Sequence, residues 1–165
     1  LTVSNGEGSG YVVPGTGIVM NNMLGEEDLN PGGFQRWPEG HRMKSMMAPT
    51  LLEWPSGDTV AFGTGCSNRL LPAILHVLLN IIDFGLPVAE TVQAPRLHYE
   101  SELLSTEGGF YVEGLGALLD AYPEHHLWEE RNMYFGGVHT VSATKKGMQG
   151  AGDARRGGVS LVCDG

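Results

Sequence analysis

The sequence predicts a layered α/β sandwich built on antiparallel sheets. Short apolar runs bounded by turn residues lie toward both ends of the chain and read as strands, while two or three helical stretches lie between them. Regular alternation of strand and helix, which a doubly wound parallel sheet requires, is absent.

Taken in order, Leu1-Thr2-Val3-Ser4 reads as a strand that begins mid-pattern without an initiator Met, as though upstream sequence were missing. Residues 5–10 form a glycine-rich loop. Its Gly6-Glu7-Gly8-Ser9-Gly10 run lacks the Lys-Ser/Thr of a phosphate loop and the glycine spacing of a dinucleotide site, so a flexible connection is expected. Ile18-Val19-Met20 reads as a short buried strand. Between 29 and 44, Pro31, Gly32, Gly33, Pro38 and Gly40 break every period, which predicts a long surface loop of the kind that often carries function. A strand to Trp54, the turn Pro55-Ser56-Gly57-Asp58 and a returning strand over 59–62 make a hairpin.

That hairpin delivers the chain into Gly63-Thr64-Gly65-Cys66-Ser67-Asn68-Arg69, a turn that empties into the most apolar run of the sequence. Gly63 and Gly65 permit backbone angles closed to other residues. Ser67 or Asn68 suits the N-cap, and the first N–H groups of the helix that follows form a donor-rich corner suited to a developing oxyanion. The helix over 70–84 is apolar on nearly every face, which predicts deep burial, with Pro72 in its first turn and Gly85 ending it. A second helix spans 87–93 and Pro95 follows it. Short strands at 97–99 and 103–104 lead to a weaker helix over 112–122, diluted by Gly114 and Gly116, and then to a polar connection over 124–132. Residues 138–144 and 148–151 pair as strands across Lys145-Lys146-Gly147, and 153–158 close a single domain covering 1–165.

Composition narrows the partners. The formal charge is -9, from 19 acidic and 10 basic residues, and the basic ones are scattered, which excludes a nucleic-acid surface built on clustered Lys and Arg. The longest apolar run is too short and interrupted to span a bilayer. Cys66 and Cys163 are expected as free thiols, and no Cys/His spacing indicates zinc. His125 and His126 are adjacent and so poorly placed to converge on one ion, while His76 lies in the apolar helix and reads as a core residue; no metal site and no cofactor are expected. Asn5, Asn22, Glu26, Glu27 and Asp28 gather amides and carboxylates able to hold a primary ammonium group, and Arg42 with Ser45 could hold a carboxylate, the two ends of an amino acid.

The order of motifs is more specific than any one of them. Ser4-Asn5-Gly6, Gly15-Thr16-Gly17-Ile18, Asn21-Asn22-Met23, Ser45-Met46-Met47-Ala48-Pro49-Thr50, the 63–69 turn, Asp83-Phe84-Gly85, Ala94-Pro95-Arg96 and Asp153-Ala154-Arg155 occur in one series, and this series resembles the small, C-terminal subunit of the γ-glutamyltranspeptidases over nearly the whole chain. The resemblance implies an N-terminal nucleophile hydrolase, an αββα sandwich with antiparallel sheets, made by a precursor that cleaves itself. In that family the new N-terminal threonine attacks a γ-glutamyl amide such as glutathione, its hydroxyl activated by its own α-amine, and water or an acceptor amine resolves the γ-glutamyl-enzyme. The partners implied are the large subunit of the same precursor, in a heterodimer or higher oligomer, and a γ-glutamyl small molecule; the family favours a periplasmic or extracellular setting, with a cytoplasmic one as the alternative.

By the same resemblance, Asn5 and Asp28 hold the substrate α-amino group, or Glu26 or Glu27 in place of Asp28 if the gap is placed otherwise; Ser45 holds the α-carboxylate, and Cys66 and Ser67 supply oxyanion-hole N–H groups where the family has two glycines. Met46 replaces a second serine, and Met23 stands where Gln or Glu often binds the amino group. Thr2 aligns inside the following strand, so the nucleophile is expected upstream of this sequence. An acylase on the same fold, favoured by Met23 and Met46, and a catalytically silent paralogue or binding subunit are the alternatives.

Overall fold

The computed structural model describes residues 4–110 and 112–163, which fall into two units, Leu1–Met47 and Ala48–Gly165. Leu1, Thr2 and Val3, and with them most of the strand expected at 1–4, lie outside the described residues.

In the first unit Val12 and Val19 form an isolated antiparallel bridge, flanked by Val13 N–H donating to the Ile18 carbonyl at 2.9 Å and Met20 N–H to the Tyr11 carbonyl at 2.9 Å. The buried strand expected at Ile18-Val19-Met20 is therefore a surface hairpin, with Ile18 60% exposed. One bridge presents too little apolar area to form a layer. The long loop after it is tied at its start, where Asn30 is buried and its Nδ2 donates to the carbonyls of Leu24 at 2.9 Å and Gly33 at 2.8 Å.

The second unit holds two sheets. Strands β1 (Thr50–Glu53) and β2 (Thr59–Gly65) form the expected hairpin, with Thr50 opposite Phe62; further along the chain β6 (Gly137–Thr144) pairs with β2, and β7 (Gly147–Ala151) with β6, all antiparallel. Alternation gives this sheet one buried face, to which β2 contributes Val60, Phe62 and Thr64 and β6 contributes Val138, Thr140 and Ser142. Against it pack α1 (Leu70–Ile82), through Leu70, Ala73, Ile74 and Val77, and α2 (Val88–Gln93), through Val92. Each Leu, Ile or Val side chain among these contributes about 1.5–3 kcal/mol by leaving water.

Two expectations for α1 are corrected. Its outer face is exposed, at 64% for Leu71, 52% for Leu75 and 57% for Ile82, because a helix lying on one sheet buries only one stripe however apolar its other faces are. Its N-cap is Arg69, without a side-chain bond, in place of Ser67 or Asn68. Gly85 does turn the chain out of the helix, at φ +62°, and Leu86 N–H closes back to the Asn80 carbonyl at 2.8 Å.

The second sheet runs β3 (Leu97–Glu100), β4 (Leu103–Thr106), β5 (His125–Leu127). Ser101 and Glu102, at φ +52° and +65°, make a two-residue turn between β3 and β4. Strand β5 pairs parallel to β4, with α3 (Val112–Ala121) as the crossover, so the polar connection expected over 124–132 contains a strand. Three residues are too few for a period to register, and their pairing is long-range.

A buried ionic cluster links residues at the ends of the two sheets. Asp153 Oδ2 accepts from Arg96 Nη2 at 2.8 Å and Val138 N–H at 2.9 Å, and Asp153 Oδ1 accepts from Arg155 Nη1 at 3.1 Å. Arg155 Nε donates to Glu107 Oε1 at 2.7 Å, which also accepts from Asn132 N–H at 3.0 Å. Arg155 Nη2 also donates to Glu107 Oε2, and further guanidinium protons go to carbonyls of Val92, Ala94 and Phe135, while Arg96 Nε is buried without a partner. Burial alone would push the Asp153 carboxyl up, but the Arg96 charge, the Arg155 N–H and the Arg155 charge outweigh it and hold it below the usual carboxylate range. A carboxyl with a lowered native pKa stabilises the fold above its unfolded pKa of about 4 and loses that contribution as pH falls through the lowered value. In the full-length protein, unfolding midpoints should drop as pH goes from about 4 toward 2, less steeply in Asp153→Asn than in the parent. Arg155→Ala, which leaves Glu107 buried without its counter-ion and Asp153 with Arg96 alone, should cost about 3–5 kcal/mol in urea unfolding.

Candidate functional site

Strand β2 ends at Gly65, opposite Gly137, and α1 begins at Leu70. The expected turn over 63–69 is correspondingly shorter. Gly63 and Gly65 are ladder residues, and the left-handed backbone falls instead on Cys66, at φ +150°. That angle suits glycine, so a β-carbon there stores strain of about 1–3 kcal/mol. Space matters at its ladder partner: a β-carbon on Gly137 would come 2.7 Å from Arg156 Cγ, whereas one on Gly65 would make ordinary contact, 3.5 Å from Arg156 Nη1. Thr64 closes the strand end, its Oγ1 accepting from Gly137 N–H at 3.0 Å and donating to the Gly65 carbonyl at 2.9 Å.

The corner that follows is walled by aromatic rings. Cys66 Sγ donates to the Tyr134 carbonyl at 3.7 Å, and the Arg69 guanidinium lies 4.4 Å from the Tyr134 ring centre. Tyr134 stacks on Trp128 at 5.1 Å and meets the edge of His98 at 6.2 Å. Asn68 Nδ2 donates to Glu100 Oε1 at 2.6 Å, and Glu100 Oε2 lies 3.2 Å from His98 Nε2. The bond to His98, with Asn68 and Arg69, holds the Glu100 carboxyl below the usual range against a smaller effect of burial. Both thiols, half-buried Cys66 and exposed Cys163, are unpaired by any disulfide.

The amino-acid-binding candidates lie in the first unit. The Asn5 carbonyl accepts from Gly8 N–H at 2.9 Å and Asn22 N–H at 3.2 Å, and Asn22 Oδ1 accepts from Glu7 N–H at 2.9 Å. Asn22 Oδ1 and Glu26 Oε1 both press against Gly6, where a β-carbon would collide with them. Asn5 and Glu26 therefore meet at one loop. Glu27 and Asp28 are exposed, and exposed Ser45 uses its Oγ to accept from Met47 N–H at 3.2 Å. Met23 Sδ accepts from Ser4 Oγ at 3.6 Å. His76, expected in the core, is half-buried on α1, and burial and then the Arg96 charge hold it below its ordinary value.

Sequence reasoning missed Glu107, Tyr134, His98 and Glu100 as parts of this architecture. Arg96, Asp153 and Arg155 lay inside recognised motifs, yet nothing local to Glu107 or Tyr134 marks their partners.

A family model described as Gamma-glutamyltranspeptidase matches residues 1–163. The glutathione hydrolase proenzyme of Pseudomonas aeruginosa is 27% identical over 170 residues, covering 94% of this chain and 30% of that protein. The Acylase ACY 1 proenzyme of Pseudomonas sp. (strain SE83) is 30% identical over 106 residues, covering 64% of this chain and 19% of that protein. The chain thus spans less than a third of the length of these curated relatives. Among solved structures, a highly active mutant γ-glutamyltranspeptidase of Pseudomonas nitroreducens superposes with a TM-score of 0.75 at 23% identity, covering 100% of this chain and 92% of that one, which shows a shared fold.

Glycine at 66 would relieve the φ +150° strain at the expense of a more flexible unfolded chain. Full-length Cys66→Gly should therefore be about 1 kcal/mol more stable than the parent in urea unfolding.

Proposed function

Because the chain belongs to the γ-glutamyltranspeptidase family, we propose that residues 1–165 make up most of the small subunit of an enzyme that transfers or hydrolyses γ-glutamyl amides such as glutathione. The observation that supports this reading best is the corner itself: a strand whose last ladder pair is Gly65 with Gly137, a glycine-like backbone at Cys66, and a helix start directly after.

In this reading an N-terminal threonine hydroxyl, supplied from outside residues 1–165, attacks the γ-carbonyl carbon. Its proton passes to the threonine's own α-amine and then to the departing amine, leaving a γ-glutamyl ester on the enzyme. The negative charge that builds on the carbonyl oxygen is met by the N–H groups of Cys66 and Ser67. Both are backbone donors, so replacing the family's glycines leaves the chemistry intact so long as the turn keeps its shape. The Cys66 thiol is a spectator. Asn5 with Glu26, Glu27 or Asp28 takes the substrate α-amino group, and Ser45 the α-carboxylate. The large subunit of the same precursor completes the pocket.

Met46 and Met23 favour a second reading, an acylase on the same fold, because both remove polar contacts to an amino-acid substrate. The full-length precursor should release the anilide from a γ-glutamyl anilide only after self-cleavage. Cleavage without release would favour the acylase, and absence of both would favour a silent or binding subunit. Ser67→Pro deletes one donor N–H and should lower turnover by about 3 kcal/mol in transition-state stabilisation, measured as kcat on the same anilide. An unchanged rate in a folded Ser67→Pro variant would remove Ser67 from the oxyanion hole.

A further inference from the structure

The corner is anchored on both sides by ordinary backbone pairing. Upstream stands the Gly65–Gly137 pair; downstream, Leu70 N–H donates to the Ser67 carbonyl at 3.0 Å and Ala73 N–H to the Arg69 carbonyl at 3.1 Å. Between these anchors Cys66 keeps a backbone angle that a non-glycine residue holds only when its surroundings impose it. The helix brings no side-chain cap of its own to the task. Restraint therefore comes from across the fold, and β3 is placed to supply it.

Glu100 ends β3, immediately before the tight turn at Ser101 and Glu102. Its Oε1 accepts the short bond from Asn68, the residue after the second oxyanion donor, and a carboxylate acceptor makes such a bond about twice as strong as a neutral one. Its Oε2 faces His98 Nε2, and His98 is itself 6% exposed with its ring against Tyr134. Tyr134 in turn holds Cys66 through its carbonyl and Arg69 through its ring. Three of the four corner residues 66–69 are thus tied to two side chains of one strand, directly or through Tyr134.

We propose that Glu100 and His98 are positioning residues, which hold Asn68, and with it the Cys66 and Ser67 N–H groups, in the orientation that receives the oxyanion. The proposal rests on the oxyanion role given to Cys66 and Ser67. It requires that loosening Glu100 affect the transition state more than substrate binding, and that Asn68 and Glu100 act as one unit.

The test uses processed full-length enzyme and the γ-glutamyl anilide. Glu100→Ala should lower kcat by about tenfold or more with KM within about twofold, whereas Glu100→Gln, which keeps an oxygen for Asn68, should stay within about threefold of the parent. Asn68→Ala should reproduce the loss, and the Asn68→Ala/Glu100→Ala pair should be no slower than the slower single variant. Losses that multiply, or a Glu100→Ala enzyme with parental kcat, overturn the proposal. A parent that self-cleaves yet releases no anilide defeats the proposed function instead, and a second measurement then decides this inference alone. In a Cys163→Ser background, iodoacetamide should alkylate Cys66 about tenfold faster in Glu100→Ala than in the parent or Glu100→Gln, at an unchanged thermal midpoint. Equal labelling rates overturn the proposal, and should Glu100→Ala fail to fold, Asn68→Ala takes its place in both measurements.

Discussion

The Asp153 carboxylate, 0% exposed and shared by two guanidinium groups, is the contact on which the second unit depends. Its partners come from distant places: Arg96 follows α2, Arg155 sits in the turn after β7, and Glu107, which completes the charge balance, follows β4. Two carboxylates and two guanidinium groups leave no net charge buried, and backbone carbonyls around them take up spare donors other than the buried Arg96 Nε. Such a cluster adds little net stability over an apolar core of equal volume, but it penalises any packing that separates a partner.

That penalty is what carries order to the corner. Arg96 Nη1 donates to the Phe135 carbonyl at 3.2 Å, and Asp153 Oδ2 receives Val138 N–H at 2.9 Å. With Asn132 N–H on Glu107 Oε1 at 3.0 Å, the stretch 132–138 is therefore held at both ends by the cluster. From it, Tyr134 meets Cys66 and Arg69, and Gly137 pairs with Gly65. The charged centre fixes a backbone segment, the segment fixes the end of β2, and the end of β2 presents the corner. A strained angle at Cys66 persists because each of these contacts would have to yield for it to relax.

The outer face of α1 follows a different logic. Leu71, Leu75 and Ile82 are exposed on a helix whose opposite stripe is among the most deeply buried parts of the chain. Its composition suits a helix covered on more than one side, whereas the sheet beneath it covers one.

Much of this was legible in the sequence. The hairpin over 50–65, the helices at 70, 88 and 112, the strand pair over 137–151 and the stop at Gly85 follow from short-range pattern, and the N-terminal nucleophile hydrolase class followed from the order of the motifs, its antiparallel sheets holding for every pair but the parallel β4–β5. Candidate residues Cys66 and Ser67 were legible as a corner because a strand, a turn and an apolar helix are contiguous there. Strand β5, the N-cap at Arg69 and the exposure of Leu71 were not, since each is decided by what lies opposite, which local period does not encode. By itself the sequence determined which segments become strands or helices and where glycine and proline interrupt them, because those choices rest on neighbours within a few residues. Only the tertiary structure decided that Asp153 joins Arg96 to Arg155, that the positive φ falls on Cys66 and not on either nearby glycine, and that Glu100 reaches Asn68, because charge pairing and imposed strain depend on residues tens of positions apart.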